Sequence, residues 1–283
     1  MRPYLELTKP ERTFANVFTA AAGFLLVTPW WPNWTLLLAT LGGITLVIAS
    51  ACAANNYFDR ELDNRMARTR QRALPQQAVT PHSAAWLTII LATAGFVVLA
   101  LWVNVLVVLL GAIAYIDYVV LYGWSKRHSV WSTWIGTVSG SLSLVAGYCA
   151  VTDRFDRVAL LLLVIMVFWQ MAHFYAIGIY RLADYRAAKL PIWPARYGLN
   201  STRWQIISFI IIFALATAAL SLIGQTGIIF LIALLGLSLN WLRLALQPWR
   251  PKKEATWARA VFVNSLLVIT ALPVLLALGP HLP

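Results

Sequence analysis

The chain has 283 residues, 60% of them hydrophobic and only 11% charged, with a mean hydropathy of +0.73. A soluble domain carries about 25% charged residues, so this composition excludes an ordinary soluble enzyme, a disordered chain and a disulfide-stapled secreted module. Twenty-two Lys+Arg against ten Asp+Glu give a net charge of +12. On a chain this apolar, that excess belongs at the edges of a membrane rather than on nucleic acid.

A hydrocarbon core about 30 Å thick needs roughly 20 apolar residues per helix. In chain order, nine stretches qualify, with boundaries good to a few residues: 14–30, 35–55, 86–102, 104–124, 131–151, 158–180, 204–222, 227–247 and 259–279. The first follows Arg2, Lys9 and Arg12 but has no small-residue cleavage site after it, so it reads as a retained helix and not a signal peptide. The third and fourth are joined at Val103-Asn104, and the seventh and eighth at Gly224-Gln225-Thr226. The long polar connections are 56–85, 181–203 and 248–258. The fold class is therefore all-α: a polytopic membrane protein, one bundle of nine transmembrane helices forming a single domain over 1–283.

The cations set the topology. Arg2, Lys9 and Arg12 precede the first span; Arg60, Arg65, Arg68, Arg70 and Arg72 follow the second; Lys126 and Arg127 follow the fourth. Arg181, Arg186, Lys189, Arg196 and Arg203 follow the sixth, and Arg243, Arg250, Lys252, Lys253 and Arg259 follow the eighth. Only Arg154 and Arg157 fall on the other side. The positive-inside rule puts the N-terminus and the long loops in the cytoplasm and the C-terminus outside. No transit-peptide-like extension precedes the first span, which favours a bacterial inner membrane over a mitochondrial one. Cys52 and Cys149 fall at opposite membrane depths, so neither a disulfide nor a cysteine metal site is expected.

Polar exceptions carry the functional information. The strongest is Asn55-Asn56-Tyr57-Phe58-Asp59-Arg60-Glu61-Leu62-Asp63, where the second helix leaves the membrane. Steps of four residues rise about 6 Å and overshoot a full turn by about 40°. Asn55, Asp59 and Asp63 thus share one inclined stripe of oxygen donors. Such a stripe suits Mg²⁺, which one or two carboxylates hold and substrate phosphates complete. Arg65, Arg68, Arg70 and Arg72 follow at once, and guanidinium forks bind diphosphate oxygens bidentately. The competing reading is a solvated helix end whose charges pair with one another; the repeat of four at the water boundary favours the site.

Asn55-x-x-x-Asp59-x-x-x-Asp63 resembles the first signature of the UbiA superfamily of intramembrane prenyltransferases, and the run Asn55 to Arg72 resembles its heme O synthase branch. Thr8-Lys9-Pro10, Lys126-Arg127-His128-Ser129, Gly147-Tyr148, Trp169-Gln170-Met171-Ala172-His173-Phe174 and Asp184-Tyr185-Arg186-Ala187-Ala188 are similar to that branch in the same order. The resemblance implies a nine-helix fold and transfer of a farnesyl group from farnesyl diphosphate to a vinyl group of heme b, with Mg²⁺ as cofactor. It implies Asn55, Asp59 and Asp63 as the metal stripe, and Arg68, Arg72, Lys126 and Arg127 as diphosphate ligands. Arg181, Asp184 and Tyr185 then belong to the acceptor loop. Asp184 stands where many superfamily members carry a paired-aspartate motif, but position 188 is Ala188; it either binds a second Mg²⁺ or positions Arg181.

His173 is implied at the acceptor, either as an axial ligand or in orienting the vinyl group and handling a proton. A neutral, packed histidine is the competing reading. Product handover to a downstream heme A synthase or to terminal-oxidase assembly is also implied. The chain departs from the branch at Ser143-Leu144 and Ala172, where prolines are expected, and at Ala73; straighter fifth and sixth helices follow from lost prolines. Two rival functions remain: a UbiA-type enzyme acting on an aromatic or quinone precursor, and a non-catalytic carrier of heme or isoprenoid. The acids weigh against a carrier of anions.

Overall fold

Apolar runs of this length can satisfy their backbone polar groups within lipid only as helices. Helices are what the computed structural model contains over the residues it describes, 2–65, 69–247 and 253–282. In chain order they are α1 (Arg2–Leu7), α2 (Pro10–Leu25), α3 (Trp34–Arg65), α4 (Pro81–Trp102), α5 (Val105–Ile116), α6 (Tyr122–His128), α7 (Ser132–Thr152) and α8 (Arg157–Tyr180). Then come α9 (Leu182–Ala187), α10 (Trp193–Tyr197), α11 (Leu199–Leu222), α12 (Ile228–Leu246) and α13 (Glu254–Leu278). A five-residue π segment, Asp117–Leu121, joins α5 and α6 into one span. Arg68 lies outside the described residues.

Eight spans among the described residues are long and apolar enough to cross a membrane. The ninth member, α2, has 16 residues and rises about 24 Å. It starts and stops earlier than the predicted 14–30, because Pro10 at its first turn is preset for a helix and Pro29 and Pro32 prevent continuation. It belongs to the bundle nonetheless. Gly23 and Gly147 let α2 and α7 approach until a Cβ on Gly23 would stand 2.0 Å from the Leu144 carbonyl oxygen, and one on Gly147 would stand 1.9 Å from that of Ala20.

The second helix outruns its prediction most. At 32 residues, α3 is about 48 Å long against a core of about 30 Å. The Asn55, Asp59 and Asp63 stripe therefore rides on a helical overhang, as its spacing of four requires. α4 returns antiparallel along α3, pinned by the Thr80 cap, whose hydroxyl accepts from Ser83 N at 3.1 Å. α7 and α8 form the buried centre, with α2, α11 and α13 packed around them and α4 and α5 outermost. Exposed tryptophans gather at both ends, Trp30, Trp31, Trp34 and Trp102 at one and Trp86, Trp124, Trp131 and Trp204 at the other. These are the positions where amphipathic rings meet headgroups.

The missing prolines have local consequences. α7 and α8 run as uninterrupted α-helices. Ser143 uses its position to donate to Asn16 Oδ1 on α2 at 3.1 Å.

Candidate active site

The stripe on α3 folds as its spacing dictates, and Asn55, Asp59 and Asp63 are all buried. Each meets a cation from a different part of the chain. Asn55 Oδ1 accepts from Lys9 Nζ at 2.9 Å. Asp59 is bonded by Lys126 Nζ through one oxygen and by Arg127 Nη2, at 2.9 Å, through the other. Asp63 Oδ2 accepts from Arg72 Nη1 at 2.7 Å, and its backbone oxygen accepts from Thr69 Oγ1 at 3.1 Å.

Local packing brings those cations in. Leu7, Ala53, Ala73, Leu74, Val79 and Ala84 form a small apolar cluster of their own. It fastens α1 and the α3–α4 loop against the flank of α3, which delivers Arg72. Asn56 donates to the Leu7 carbonyl at 2.8 Å and holds the same junction. Lys9 stands in the left-handed region, with φ 48°, a conformation a non-glycine residue keeps only where its surroundings enforce it. The turn aims its side chain back at Asn55. Burial pushes the Lys9 ammonium down to about 8. A cavity of about 340 Å³ opens beside these groups, lined by Glu6, Leu7, Lys9, Pro10, Glu11, Arg12, Asn56, Arg72 and Ala73. Lys126 and Arg127 arrive from the last turn of α6, whose C-terminal end also favours cations.

The donor set fits Mg²⁺. Two carboxylates and an amide oxygen lie on one face, and the Asn56 Oδ1 beside them is buried without a hydrogen-bond partner. No group of three or more His, Cys, Asp or Glu side chains forms a metal cage among the described residues. Mg²⁺ does not need one when phosphate oxygens complete its shell.

The other predicted residues are placed apart from the stripe. Asp184 lies on α9, exposed, with its carboxylate 3.5 Å from Arg181 Nη1. α9 packs on α8 and α10, and Tyr185 is half-buried there. Arg181 also lies over the Tyr180 ring at 5.0 Å. His173, inside α8, is buried and its Nδ1 lies 2.7 Å from Ser265 Oγ on α13. Trp169 stacks on its ring at 4.9 Å.

This architecture and chemistry have known counterparts. The profile of the UbiA prenyltransferase family matches residues 16–266. The chain belongs to the UbiA prenyltransferase family. Protoheme IX farnesyltransferase of Cronobacter sakazakii is 40% identical over 284 residues, covering 100% of this chain and 96% of that one. The protein of the same name from Serratia proteamaculans is 40% identical over 98% of this chain and 94% of its own. Among solved structures, a digeranylgeranylglyceryl phosphate synthase superposes with a TM-score of 0.81 at 16% identity, over 98% of both chains. A UbiA homologue from Archaeoglobus fulgidus, bound to GPP and Mg²⁺, gives 0.72 at 15% identity over 95% of this chain and 99% of that one. At those identities the structures establish the UbiA fold.

Two groups that meet the predicted residues escape sequence reasoning. Lys9 sits in a matched segment but reads as a topology charge, and Ser265 is one hydroxyl in an apolar helix. Only tertiary packing joins Lys9 to Asn55, and Ser265 to His173.

Proposed function

We propose that this chain transfers the farnesyl group of farnesyl diphosphate to a vinyl group of heme b, giving heme O and diphosphate, at the end of the bundle where α3 overhangs. The observation that carries the diphosphate half is the convergence of Lys9, Arg72, Lys126 and Arg127 on Asn55, Asp59 and Asp63. Relatives named protoheme IX farnesyltransferase, 40% identical along the full chain, support heme b as the acceptor.

The chemistry follows from the residues. Lys9, Arg68, Arg72, Lys126 and Arg127 take diphosphate oxygens, releasing Asp59 and Asp63 from some of their ion pairs. Asn55, Asp59 and Asp63 would hold Mg²⁺, which when bound neutralises the charge that develops on the departing diphosphate. The allylic C1–O bond breaks, and the electron pair leaves with the diphosphate. The cations hold that charge in place, the electrostatic part of catalysis. Vinyl π electrons then form the new C–C bond, and the cation left beside the porphyrin is captured by water, which gives up a proton. The apolar bundle keeps bulk water from the first cation.

His173 serves the heme end, and Arg181, Asp184 and Tyr185 form its cytoplasmic rim, with Asp184 holding Arg181 or a second Mg²⁺. The N-terminus and long loops face the cytoplasm of a bacterial inner membrane, with the C-terminus outside. The product passes through the bilayer to a downstream heme A synthase or an assembling terminal oxidase.

An acceptor competition tests the reading. Purified protein is given labelled farnesyl diphosphate and Mg²⁺ with equal heme b and 4-hydroxybenzoate. Label is expected in heme and not in the phenol, and chelation with EDTA is expected to stop transfer. Label in the phenol alone would establish the aromatic-acceptor alternative instead.

A further inference from the structure

Away from the α3 stripe, the imidazole of His173 is buried and held by a hydroxyl and three aromatic rings. Its Nδ1 lies 2.7 Å from Ser265 Oγ. That hydroxyl has a single hydrogen, and it donates to the backbone oxygen of Phe262, one turn earlier on α13, at 2.5 Å. A hydroxyl so committed can only accept from the ring. Nδ1 therefore carries the proton, and the imidazole lone pair resides on Nε2.

The ring is also fixed in plane. Trp169 stacks on it at 4.9 Å and 25°, Phe262 lies at 5.1 Å, and Phe174 meets it edge-on at 5.3 Å. Trp169 Nε1 donates to the Ser265 carbonyl oxygen at 2.9 Å. Residues 169 and 173, one turn apart on α8, thus hold Ser265 by its backbone and its side chain together. Buried packing asks only that a neutral histidine find one partner. Here a hydroxyl with its own hydrogen committed elsewhere selects the tautomer, and three rings set the direction of the remaining nitrogen. Histidines that ligate metals have this arrangement, with the second ring N–H given to an oxygen that orients the first.

We propose that Ser265 is a positioning residue of the acceptor site, holding His173 as the Nδ1–H tautomer so that Nε2 presents its lone pair to the iron of the substrate heme. The inference rests on the reading of His173 as an acceptor residue. The role of Ser265 is to select a tautomer and an orientation, and no bond to it forms or breaks in the reaction.

The tautomer is measurable without substrate. In the full chain, labelled with ¹⁵N-histidine and held in detergent, the His173 signals are assigned by their loss in His173→Gln. A protonated Nδ1 and unprotonated Nε2 are expected in the parent, a mixture in Ser265→Ala, and the parental form again in Ser265→Thr. Titration with ferric heme b is followed by its visible and EPR spectra. The parent is expected to show histidine ligation, His173→Ala to lose it, and Ser265→Ala to bind heme roughly 10–100-fold more weakly, with Ser265→Thr recovering most of the loss. A parental His173 protonated at Nε2 would overturn the proposal by itself, whatever the variants do. Parental heme spectra in His173→Ala would remove the reading on which it rests. Lost ligation in His173→Ala, with parental tautomer and heme affinity in Ser265→Ala, would refute only the role of Ser265.

Discussion

The polar cluster on α3 and the polar cluster around His173 are built in opposite ways. At the overhang of α3, every stripe residue is bonded to a cation from outside the stripe: Lys9 lies 46 residues from Asn55 and Arg127 68 residues from Asp59, while Arg72 lies nine residues from Asp63. Around His173, the contacts are neutral hydrogen bonds between α8 and α13 and ring contacts within α8 and across to Phe262 of α13. The first arrangement can exchange partners, since an anion arriving with its own metal can take the cations and free the acids. The second leaves one donor and one acceptor in fixed places. A charged mouth suits binding and release of diphosphate, and a neutral interior suits one orientation of a flat, apolar acceptor.

The difference is easiest to break at the mouth. Asp59→Ala or Asp63→Ala should lower turnover by roughly 10²–10³-fold, the scale of losing one electrostatic stabiliser of a transition state, while the heme-binding spectrum stays parental. Parental turnover in purified Asp59→Ala protein would remove the metal–diphosphate site. His173→Ala should do the reverse, removing histidine ligation and weakening heme binding at least as much as Ser265→Ala, with the KM for farnesyl diphosphate unchanged. A rise in that KM equal to the loss in heme affinity would merge the two clusters into one. Lys9→Ala should raise the KM for farnesyl diphosphate about tenfold, the equivalent of one charge-assisted hydrogen bond of about 1.4 kcal/mol. An unchanged KM would return Lys9 to a purely topological role.

How much of this could be read beforehand depends on sequence distance. The Asn55, Asp59 and Asp63 stripe is local, fixed by helical period, and it folds as read. Helix order and most boundaries follow from apolar runs and their breakers. The length of α3 does not follow from hydropathy, because residues 56–65 are polar and fall in the connection 56–85; only the spacing of four extends the helix to Asp63. They stay helical where the stripe's ion pairs and the apolar cluster around Leu7 and Leu74 give that polar segment tertiary partners. Lys9 and Ser265 were hidden for a related reason. Ser208 and Ser238 also sit in apolar helices and bond only their own backbone, to Trp204 and Leu234, so nothing local separates Ser265 from them. Asp184 shows the converse, a motif position whose carboxylate lies exposed beside Arg181.

The far end of the bundle supplies the smallest effect and the control. Asp156 caps α8, accepting from the Val158 and Ala159 amides at 2.9 and 3.1 Å and from Tyr148 Oη at 2.7 Å. Burial pushes its carboxyl up, but those hydrogen bonds outweigh it and hold the group below the ordinary carboxylate range. Its stabilisation is therefore complete above the ordinary value of about 4 and is lost as pH falls through the lower folded value. Asp156→Ala should cost about 1 kcal/mol of thermal stability at neutral pH, a difference that shrinks on acidification below about pH 4. Turnover at low temperature should stay parental. A turnover loss matching that of Asp59→Ala would show that the bundle does not separate its two ends.

The most direct test is mass spectrometry of the porphyrin after purified protein is incubated with heme b, farnesyl diphosphate and Mg²⁺. The account predicts that heme b is converted to a species heavier by one farnesyl group and one hydroxyl function, with diphosphate released in equal amount, and that Asp59→Ala slows the conversion by roughly 10²–10³-fold. Heme b recovered unchanged from active, Mg²⁺-loaded protein that cleaves farnesyl diphosphate would contradict it.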